Sequence, residues 1–247
     1  MYNSQIRLVC LALLLLSGCK SVQHLSSVQT QTIRTDRTIP DDSSVESLIK
    51  PYRIEMKEEM DVVMGQLPED LVKQKPNSNM GNWFCDILYE EANKMFFEEV
   101  DFAVQNYGGL RLTSLAKGPL TKGEIFQLMP FDNTLVVLQI DGQTMKKLLD
   151  DFARKGGAPL SKGVSFKISG QKATDIIIQE QPFDINKSYR IAVPDYVANG
   201  GDQSSFLKTL PQEESGVFIR EIILAHLGDL KELDQPITID TTPRITK

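Results

Sequence analysis

Glycine-bearing loops that follow short apolar runs constrain the fold of this chain more than any other feature. The first run, Phe102-Ala103-Val104, is typical of a buried strand, and Asn106-Tyr107-Gly108-Gly109-Leu110-Arg111 follows it. The two glycines permit a turn with positive φ and let the backbone approach a bound group. Asn106 and Arg111 place an amide and a guanidinium beside the turn, and the planar guanidinium suits phosphate or carboxylate. Taken alone, such a loop is more often an ordinary turn than a binding site.

Two further loops have a similar character. Met129-Pro130-Phe131-Asp132-Asn133 carries an aromatic ring and an amide, and it precedes the apolar run Leu135–Ile140, which predicts a central strand. The segment from Pro194 to Asp202 follows an alternating run and places an aromatic ring and an acid beside two glycines. Three such loops in this order are a more specific signal of a binding site than any one of them.

In order and spacing, the three loops resemble the C-terminal, substrate-binding domain of the 5'-nucleotidase family, which includes the UDP-sugar hydrolases. That family shows Asn-Gly-Gly-Gly-Ile-Arg, then Pro-Phe-x-Asn, then Phe/Tyr-x-x-x-Gly-Gly-Asp, and the resemblance covers roughly residues 51–247. Alternating strands and amphipathic helices themselves predict an α+β fold with mostly antiparallel sheets. The resemblance adds a layered α/β/β/α arrangement.

The resemblance also implies a nucleotide site. Phe131 and Tyr196 would sandwich the base, Asn133 would bond base or ribose, Asp202 would accept from the ribose hydroxyls, and Arg111 and Asn106 would face the phosphate. Because every base has a π-face, stacking tolerates different bases. The alternative is that the two rings simply pack under their own loops.

A departure from the family pattern concerns the phosphate. The family has a phosphate-binding arginine shortly before an Asn-x-Gly-Asn helix start, which resembles Asn79-Met80-Gly81-Asn82 here. This chain has Lys73 and Lys75 in that region, and a lysine is a point charge without the bidentate fork. The two lysines are therefore candidate phosphate contacts, with exposed loop lysines as the alternative.

Hydrolysis in the family relies on a two-metal centre in an N-terminal phosphoesterase domain, with several histidine ligands. This chain has two histidines, His24 and His226, and neither an Asp-x-His nor a Gly-His-x-His motif. It also offers no Ser/His/Asp set. We therefore expect no catalytic residue, metal ligand or cofactor in this chain, and divalent metals only in a partner phosphoesterase.

The N-terminal residues predict a lipoprotein signal peptide over residues 1–18. Arg7 precedes the apolar segment Leu8–Leu16, which is too short to span a bilayer. Leu16-Ser17-Gly18-Cys19 then matches the bacterial lipoprotein box, with Cys19 as the lipidated residue. The alternatives are an ordinary secretory signal and a short anchor with a chance cysteine. The lipoprotein interpretation predicts a protein anchored in the bacterial cell envelope, on the periplasmic side or facing the surface.

The remaining residues divide into a tether and one domain. Residues 19–43 comprise the lipidated cysteine and a polar segment without a sustained period, and residues 44–247 form the domain. Within it, Cys85 is the last unassigned cysteine and falls in an apolar helical pattern, so we expect a core residue. The net charge of −6 indicates no broad surface for a nucleic acid polymer.

Some element boundaries are also predicted. Helical signals run from near Asp41 to Pro51, and a second amphipathic piece with Met56 and Met60 follows. A strand covers Asp61–Gly65, a helix covers Trp83–Phe97, and an edge strand covers Ile237–Ile239. His226 falls near a helix C-terminus, where a histidine usually interacts with helix carbonyls or solvent.

Three classes of function remain open. The first is the substrate half of a split 5'-nucleotidase, completed by a separate metallophosphoesterase chain. The second is a membrane-tethered lipoprotein that captures nucleotides or nucleosides without hydrolysing them. The third is a scaffold that has kept the fold and lost the ligand.

Replacing Cys19 by Ala is expected to release the protein from the membrane fraction, because the acyl chains would no longer be attached. Cell fractionation with immunoblotting measures this. An unchanged membrane fraction would count against the lipoprotein interpretation.

Overall fold

The computed structural model describes residues 26–32 and 40–247. The predicted signal peptide 1–18, the lipidation site Cys19 and His24 lie outside the described residues, as does much of the predicted tether. The part of the tether at 26–32 has no regular secondary structure. Among the described residues, no helix is long and apolar enough to cross a membrane.

The described residues form six α-helices and twelve strands. The helices are α1 (Ser43–Met60), α2 (Asn79–Met95), α3 (Lys122–Leu128), α4 (Gly142–Arg154), α5 (Asp195–Ala198) and α6 (Ile219–Glu232). The strands are β1 (Val63–Leu67), β2 (Leu71–Val72), β3 (Phe102–Ala103), β4 (Ser114–Leu115), β5 (Gly118–Thr121), β6 (Thr134–Asp141), β7 (Val164–Ser169), β8 (Lys172–Ile178), β9 (Gln181–Pro182), β10 (Ser188–Pro194), β11 (Gln212–Phe218) and β12 (Ile245–Thr246). All twelve strands belong to the larger of two compact units, Ile49–Lys247.

The central sheet has the strand order β11-β6-β10-β3. Strand β6 pairs antiparallel with both of its neighbours, and β10 pairs parallel with β3. Alternate side chains of β6 enter two different apolar clusters, with Leu135 and Val137 on one face and Val136, Leu138 and Ile140 on the other. A strand that is buried on both faces reads as a continuous apolar run, which explains why the sequence identified it.

Helices α2, α3 and α6 cover the first face of the central sheet, and α4 covers the second together with another four-stranded sheet. That second sheet has the order β12-β7-β8-β9, and α4 packs against both β8 and the central strands. Most strand pairs are antiparallel, and the two parallel pairs are β10 with β3 and β12 with β7. The α+β fold with layered helices and mostly antiparallel sheets is confirmed.

Several predicted boundaries differ from the structure. Helix α1 continues through Pro51 as far as Met60, since a proline costs a backbone hydrogen bond and bends a helix without having to end it. Strand β1 begins two residues later than predicted. Helix α2 begins at Asn79, where the Ser78 hydroxyl accepts from the Gly81 amide at 2.9 Å, and it ends at Met95.

The predicted edge strand at Ile237–Ile239 is wrong. That segment has no strand, and Ile237 instead contributes its side chain to the core beside Gly65. The edge of the second sheet is formed by β12, near the end of the chain. An apolar residue that alternates with threonine fits a core-packing loop as well as it fits a strand, so the pattern could not distinguish the two.

A buried arginine, Arg244, joins the C-terminal segment to helix α2 and to the loop before β7. Arg244 donates to the Asp86 carboxylate at 2.6 Å and to the carbonyl of Asn82 at 3.2 Å, and it also donates to the carbonyl of Leu160. Burial raises the pKa of Asp86, and the ion pair with Arg244 opposes that shift. The pair therefore neutralises a carboxylate that would otherwise be costly to bury.

Replacing Arg244 by Ala is expected to lower the free energy of unfolding by about 3–5 kcal/mol, since it leaves Asp86 buried without its partner. Urea denaturation followed by circular dichroism measures the change. The matched control is Lys146→Ala, which breaks a pair with Asp150 at 2.5 Å that is partly open to solvent, and it is expected to cost less than about 1 kcal/mol. Equal losses in the two variants would contradict the structural role of Arg244.

Candidate functional site

One cleft is lined by six of the eight residues for which we predict base, ribose or phosphate contacts; the other two, Lys73 and Lys75, do not line it. Its volume is about 570 Å³, and its lining comprises Asn106, Gly108, Gly109, Arg111, Phe131, Asp132, Asn133, Tyr196 and Asp202. The lining contains two aromatic rings, a guanidinium, two side-chain amides and two carboxylates. This mixture suits a flat ligand that carries polar groups and an anion.

Sheet topology explains why three distant loops meet there. Because β3 and β10 run parallel, their carboxyl ends lie at the same edge of the central sheet. Strand β6 runs antiparallel to β10, so its amino end lies at that edge too. The first loop follows β3, the second precedes β6, and the third follows β10.

The first loop forms a single 3-10 turn, Tyr107–Gly109, in which the Gly109 amide donates to the Asn106 carbonyl at 2.9 Å. The two glycines permit a positive φ, but neither of them adopts one in this loop. A glycine is required at position 109 because the side chain of Gln105 packs closely against it: a Cβ there would lie 2.1 Å from Nε2 of Gln105. The Arg111 amide donates to the Leu128 carbonyl at 2.8 Å and so joins this loop to the end of α3, directly before the second loop.

The second loop presents the ring of Phe131, which is 39% exposed. The guanidinium carbon of Arg111 lies 5.7 Å from the centre of that ring. The loop is stabilised by Arg220, which is buried and donates to the carbonyls of Met129 and Phe131, each at 3.3 Å. Its other terminal nitrogen donates to the Asp132 carboxylate at 2.8 Å.

A carboxylate joins the second loop to the third. Oδ1 of Asp195 accepts from the side-chain amide of Asn133 at 2.8 Å and from the backbone amide of Tyr196 at 2.7 Å. Asp195 is the first residue of α5, directly after β10. The amide of Asn133 is therefore oriented by a partner that lies 62 residues away.

The third loop presents the ring of Tyr196, which is 45% exposed. Its hydroxyl lies 3.5 Å from the Asp202 carboxylate, and the Asp202 amide donates to the hydroxyl at 3.4 Å. Gly200 adopts a φ of 94°, which favours glycine, and it redirects the chain so that Asp202 returns to the ring. Gly201 lies against the ring, since a Cβ there would be 2.4 Å from Cε1 of Tyr196.

The two candidate phosphate contacts, Lys73 and Lys75, lie next to this cleft and are not part of its lining. Their amines donate to the carbonyls of Leu110 and Lys155, each at 2.6 Å. Both amines also lie over the ring of Tyr107, at 4.3 and 4.6 Å from its centre. Burial and the nearby charges of Arg111 and Lys75 lower the pKa of Lys73. The basic charge is thus concentrated at one end of the cleft.

Two residues that position the loops were missed by the sequence analysis. Arg220 lies in the first turn of α6, and Asp195 lies in the third loop without any role assigned to it. Both act on partners that are distant in sequence, 62 residues away for Asp195 and about 90 for Arg220. No local motif contains either contact, so the sequence of this chain alone carries no signal for them.

His226 and Cys85 lie outside the cleft and make structural contacts. His226 pairs with the Glu91 carboxylate at 2.6 Å on α2, so the expected contact with helix carbonyls or solvent is wrong. Cys85 is fully buried, and burial raises the pKa of its thiol well above the usual value, as fits a core residue. Within residues 26–32 and 40–247, no group of three or more His, Cys, Asp and Glu side chains could hold a metal ion.

Replacing Gly201 by Ala is expected to displace the ring of Tyr196, because the new methyl group cannot fit at 2.4 Å from Cε1. NMR chemical shifts of the Tyr196 ring protons report the displacement. The control is Gly228→Ala on α6, where a Cβ meets no atom within 4 Å, and it is expected to leave those shifts unchanged. Unaltered Tyr196 shifts in the Gly201 variant, with both variants folded, would contradict the predicted contact.

Comparison with known proteins agrees with this architecture. The family described as the 5'-nucleotidase C-terminal domain matches residues 63–209. Protein UshA of Yersinia enterocolitica is 29% identical over 242 residues, which cover 94% of this chain and 42% of that protein. A 5'-nucleotidase of Vibrio parahaemolyticus is 27% identical over 192 residues, which cover 74% of this chain and 33% of that protein.

Among solved structures, the 5'-nucleotidase precursor of Thermus thermophilus superposes with a TM-score of 0.70 at 24% identity, covering 84% of this chain and 43% of that one. The chain thus spans less than half the length of these relatives. The matched segment includes the strands and loops that build the cleft. The chain belongs to the 5'-nucleotidase C-terminal domain family.

Proposed function

We propose that this chain binds a nucleotide or nucleoside in the cleft and acts as the substrate-binding half of a 5'-nucleotidase. The observation that carries the proposal is the convergence of six residues from three distant loops on one cleft with two partly exposed rings. A ring packed under its own loop would be buried, so the exposure of both rings argues against the packing alternative. An aromatic ligand would cover them.

The rings account for recognition of the base. Phe131 and Tyr196 present flat apolar faces to the same cleft, and stacking contributes about 1–3 kcal/mol for each base contact. The tyrosine keeps the ring face and adds a hydroxyl that is already engaged with Asp202. Stacking selects for a flat heterocycle and leaves the identity of the base open.

The polar residues of the cleft would hydrogen-bond the sugar and part of the base. Because one side-chain N–H of Asn133 donates to Asp195, its carbonyl oxygen and its second N–H are left to accept from and donate to a base or ribose. The Asp202 carboxylate accepts from the ribose hydroxyls in this arrangement. Its position beside Tyr196 places the sugar contacts next to the stacking face.

The basic end of the cleft would bind the phosphate group. Arg111 lies beside Phe131, and its fork can bind a phosphate through two hydrogen bonds, while Asn106 supplies an amide donor. Lys73 lies close enough to Arg111 for the two charges to repel, and a bound anion would relieve that repulsion. We include Lys73 and Lys75 as longer-range contributors to phosphate binding.

Replacing Phe131 by Ala is expected to weaken AMP binding by about tenfold or more, because one stacking face is lost. Isothermal calorimetry with AMP and with adenosine measures the change. Phe97→Ala is the matched control, since this phenylalanine is fully exposed outside the cleft lining. Equal affinities in wild type and the Phe131 variant would remove the stacking argument.

We further propose that hydrolysis requires a separate metallophosphoesterase chain, which would supply the divalent metals. The sequence has two histidines, too few for the family's metal centre. Non-catalytic nucleotide capture is the second candidate. It is favoured by Lys73 and Lys75, which stand where the family has arginine and donate to carbonyls.

Mixing this chain with a metallophosphoesterase chain from the same genome is expected to release phosphate from AMP, whereas this chain alone releases none. A colorimetric phosphate assay measures both. Phosphate release that is unchanged by adding this chain to the phosphoesterase would leave nucleotide capture as the function. Release by this chain alone would contradict the assignment of the metal centre to a partner.

For location, we propose that Cys19 carries the lipid and that the domain is displayed in the bacterial cell envelope. The supporting observation is the lipoprotein box in the sequence, Leu16-Ser17-Gly18-Cys19. A polar segment of some twenty residues separates this cysteine from the domain in the sequence.

A further inference from the structure

The loop that carries Asp202 contains two consecutive residues in an uncommon backbone conformation. Asp202 and Gln203 adopt positive φ values of 50° and 68°. Residues other than glycine rarely adopt this conformation, and it persists where surrounding contacts hold the chain, often at a binding site. The direction of the Asp202 side chain depends on this φ, because the Cα–Cβ bond turns with the backbone. Contacts that hold the main chain here therefore also direct the carboxylate.

A lysine from a distant helix bonds this main chain. The ammonium of Lys155 donates to the main-chain carbonyl of Asp202, across 47 residues of sequence. On the other side of the same residue, the Asp202 amide donates to the hydroxyl of Tyr196 at 3.4 Å. The peptide groups before and after Asp202 are thus both bonded, one to a ring of the cleft and the other to Lys155.

Lys155 is itself fixed at the C-terminal end of α4. Its amide donates to the Asp151 carbonyl at 3.1 Å, and its own carbonyl accepts from the Lys75 ammonium at 2.6 Å. The side chain is 30% exposed, and the ammonium also lies 3.6 Å from the Asp151 carboxylate. The alternative role for Lys155 is therefore an ordinary ion pair within its own helix.

Lys155 lies beside the cleft and does not line it. It lines a separate small cavity of about 50 Å³, and Asn106 and Asp202 line both this cavity and the cleft. A ligand in the cleft would contact Asp202 and not Lys155. For a ligand without a phosphate, an effect of Lys155 on binding would therefore act through Asp202.

We infer that Lys155 is a positioning residue for the sugar, because it holds the main chain at Asp202 and so keeps that carboxylate directed at the ribose hydroxyls. The inference rests on the proposed nucleotide function and deepens it. It names the ribose as the part of the ligand whose binding depends on Lys155, whereas stacking of the base does not depend on it.

The first test is isothermal calorimetry of the full-length chain with adenosine and with dideoxyadenosine, which lacks the two secondary ribose hydroxyls. The two ligands share the base and carry no phosphate, so the ratio of their affinities isolates the hydroxyls. The wild type is expected to prefer adenosine about tenfold, since hydrogen bonds to a carboxylate are charge-assisted. Lys155→Met keeps the apolar stem and is expected to lose most of this preference through weaker binding of adenosine alone.

Two further variants calibrate the result. Asp151→Asn is the matched control, because it removes the charge that pairs with Lys155 within α4 and leaves the ammonium free to bond Asp202. It is expected to keep the wild-type preference. Asp202→Ala marks complete loss and is expected to bind the two ligands equally. Circular dichroism confirms that all variants are folded.

The second test reports the contact without any ligand. The Gln203 amide belongs to the same peptide group as the Asp202 carbonyl, so its NMR chemical shift depends on the bond from Lys155. Lys155→Met is expected to move this resonance, and Asp151→Asn is expected to leave it in place. An unmoved Gln203 resonance in Lys155→Met would overturn the inference.

The calorimetry separates this inference from the function on which it rests. A full preference for adenosine in Lys155→Met, together with its loss in Asp202→Ala, would overturn the role of Lys155 and leave the nucleotide function in place. Equal losses in Lys155→Met and Asp151→Asn would assign Lys155 to the ion pair within α4. A wild-type chain that binds the two ligands equally, or binds neither, would contradict the ribose contact itself and the inference with it.

Discussion

The parallel pairing of β3 with β10 is the constraint on which the site depends. This pairing and the antiparallel position of β6 bring two strand ends and one strand start to a single edge of the central sheet. Leu138, Ile191 and Phe102 lie side by side across the three strands and are buried. Apolar packing on both faces of this sheet therefore fixes where the loops emerge, and the residues that line the cleft lie in those loops.

The loops at this sheet edge are stabilised by polar side-chain contacts. Arg220 donates to two carbonyls and a carboxylate of the loop that carries Phe131. Asp195 joins that loop to the one that carries Tyr196. A site whose rings are positioned before the ligand arrives loses less entropy on binding. The contacts thus connect core packing to the proposed recognition of a flat base.

The sequence predicted the fold class and the central strand, because these depend on local patterns, whereas the six residues that line the cleft were predicted from the resemblance to the 5'-nucleotidase family. An apolar run such as Leu135–Ile140 has the signature of a strand buried on both faces, and glycine-bearing loops after strands mark chain reversals. The predictions failed where non-local contacts decide. Ile237 packs into the core without forming a strand, and His226 pairs with Glu91 on another helix. The roles of Arg220 and Asp195 had no local signal, since their partners are 62 to 91 residues away.

The central claim is that a flat heterocycle lies between two rings supplied by distant loops. The most direct measurement is a crystal structure of the domain with AMP bound. The account predicts the base between Phe131 and Tyr196, the ribose hydroxyls at Asp202 and the phosphate toward Arg111. A nucleotide bound elsewhere, or a cleft in which the two rings close on each other and leave no room for the base, would contradict it.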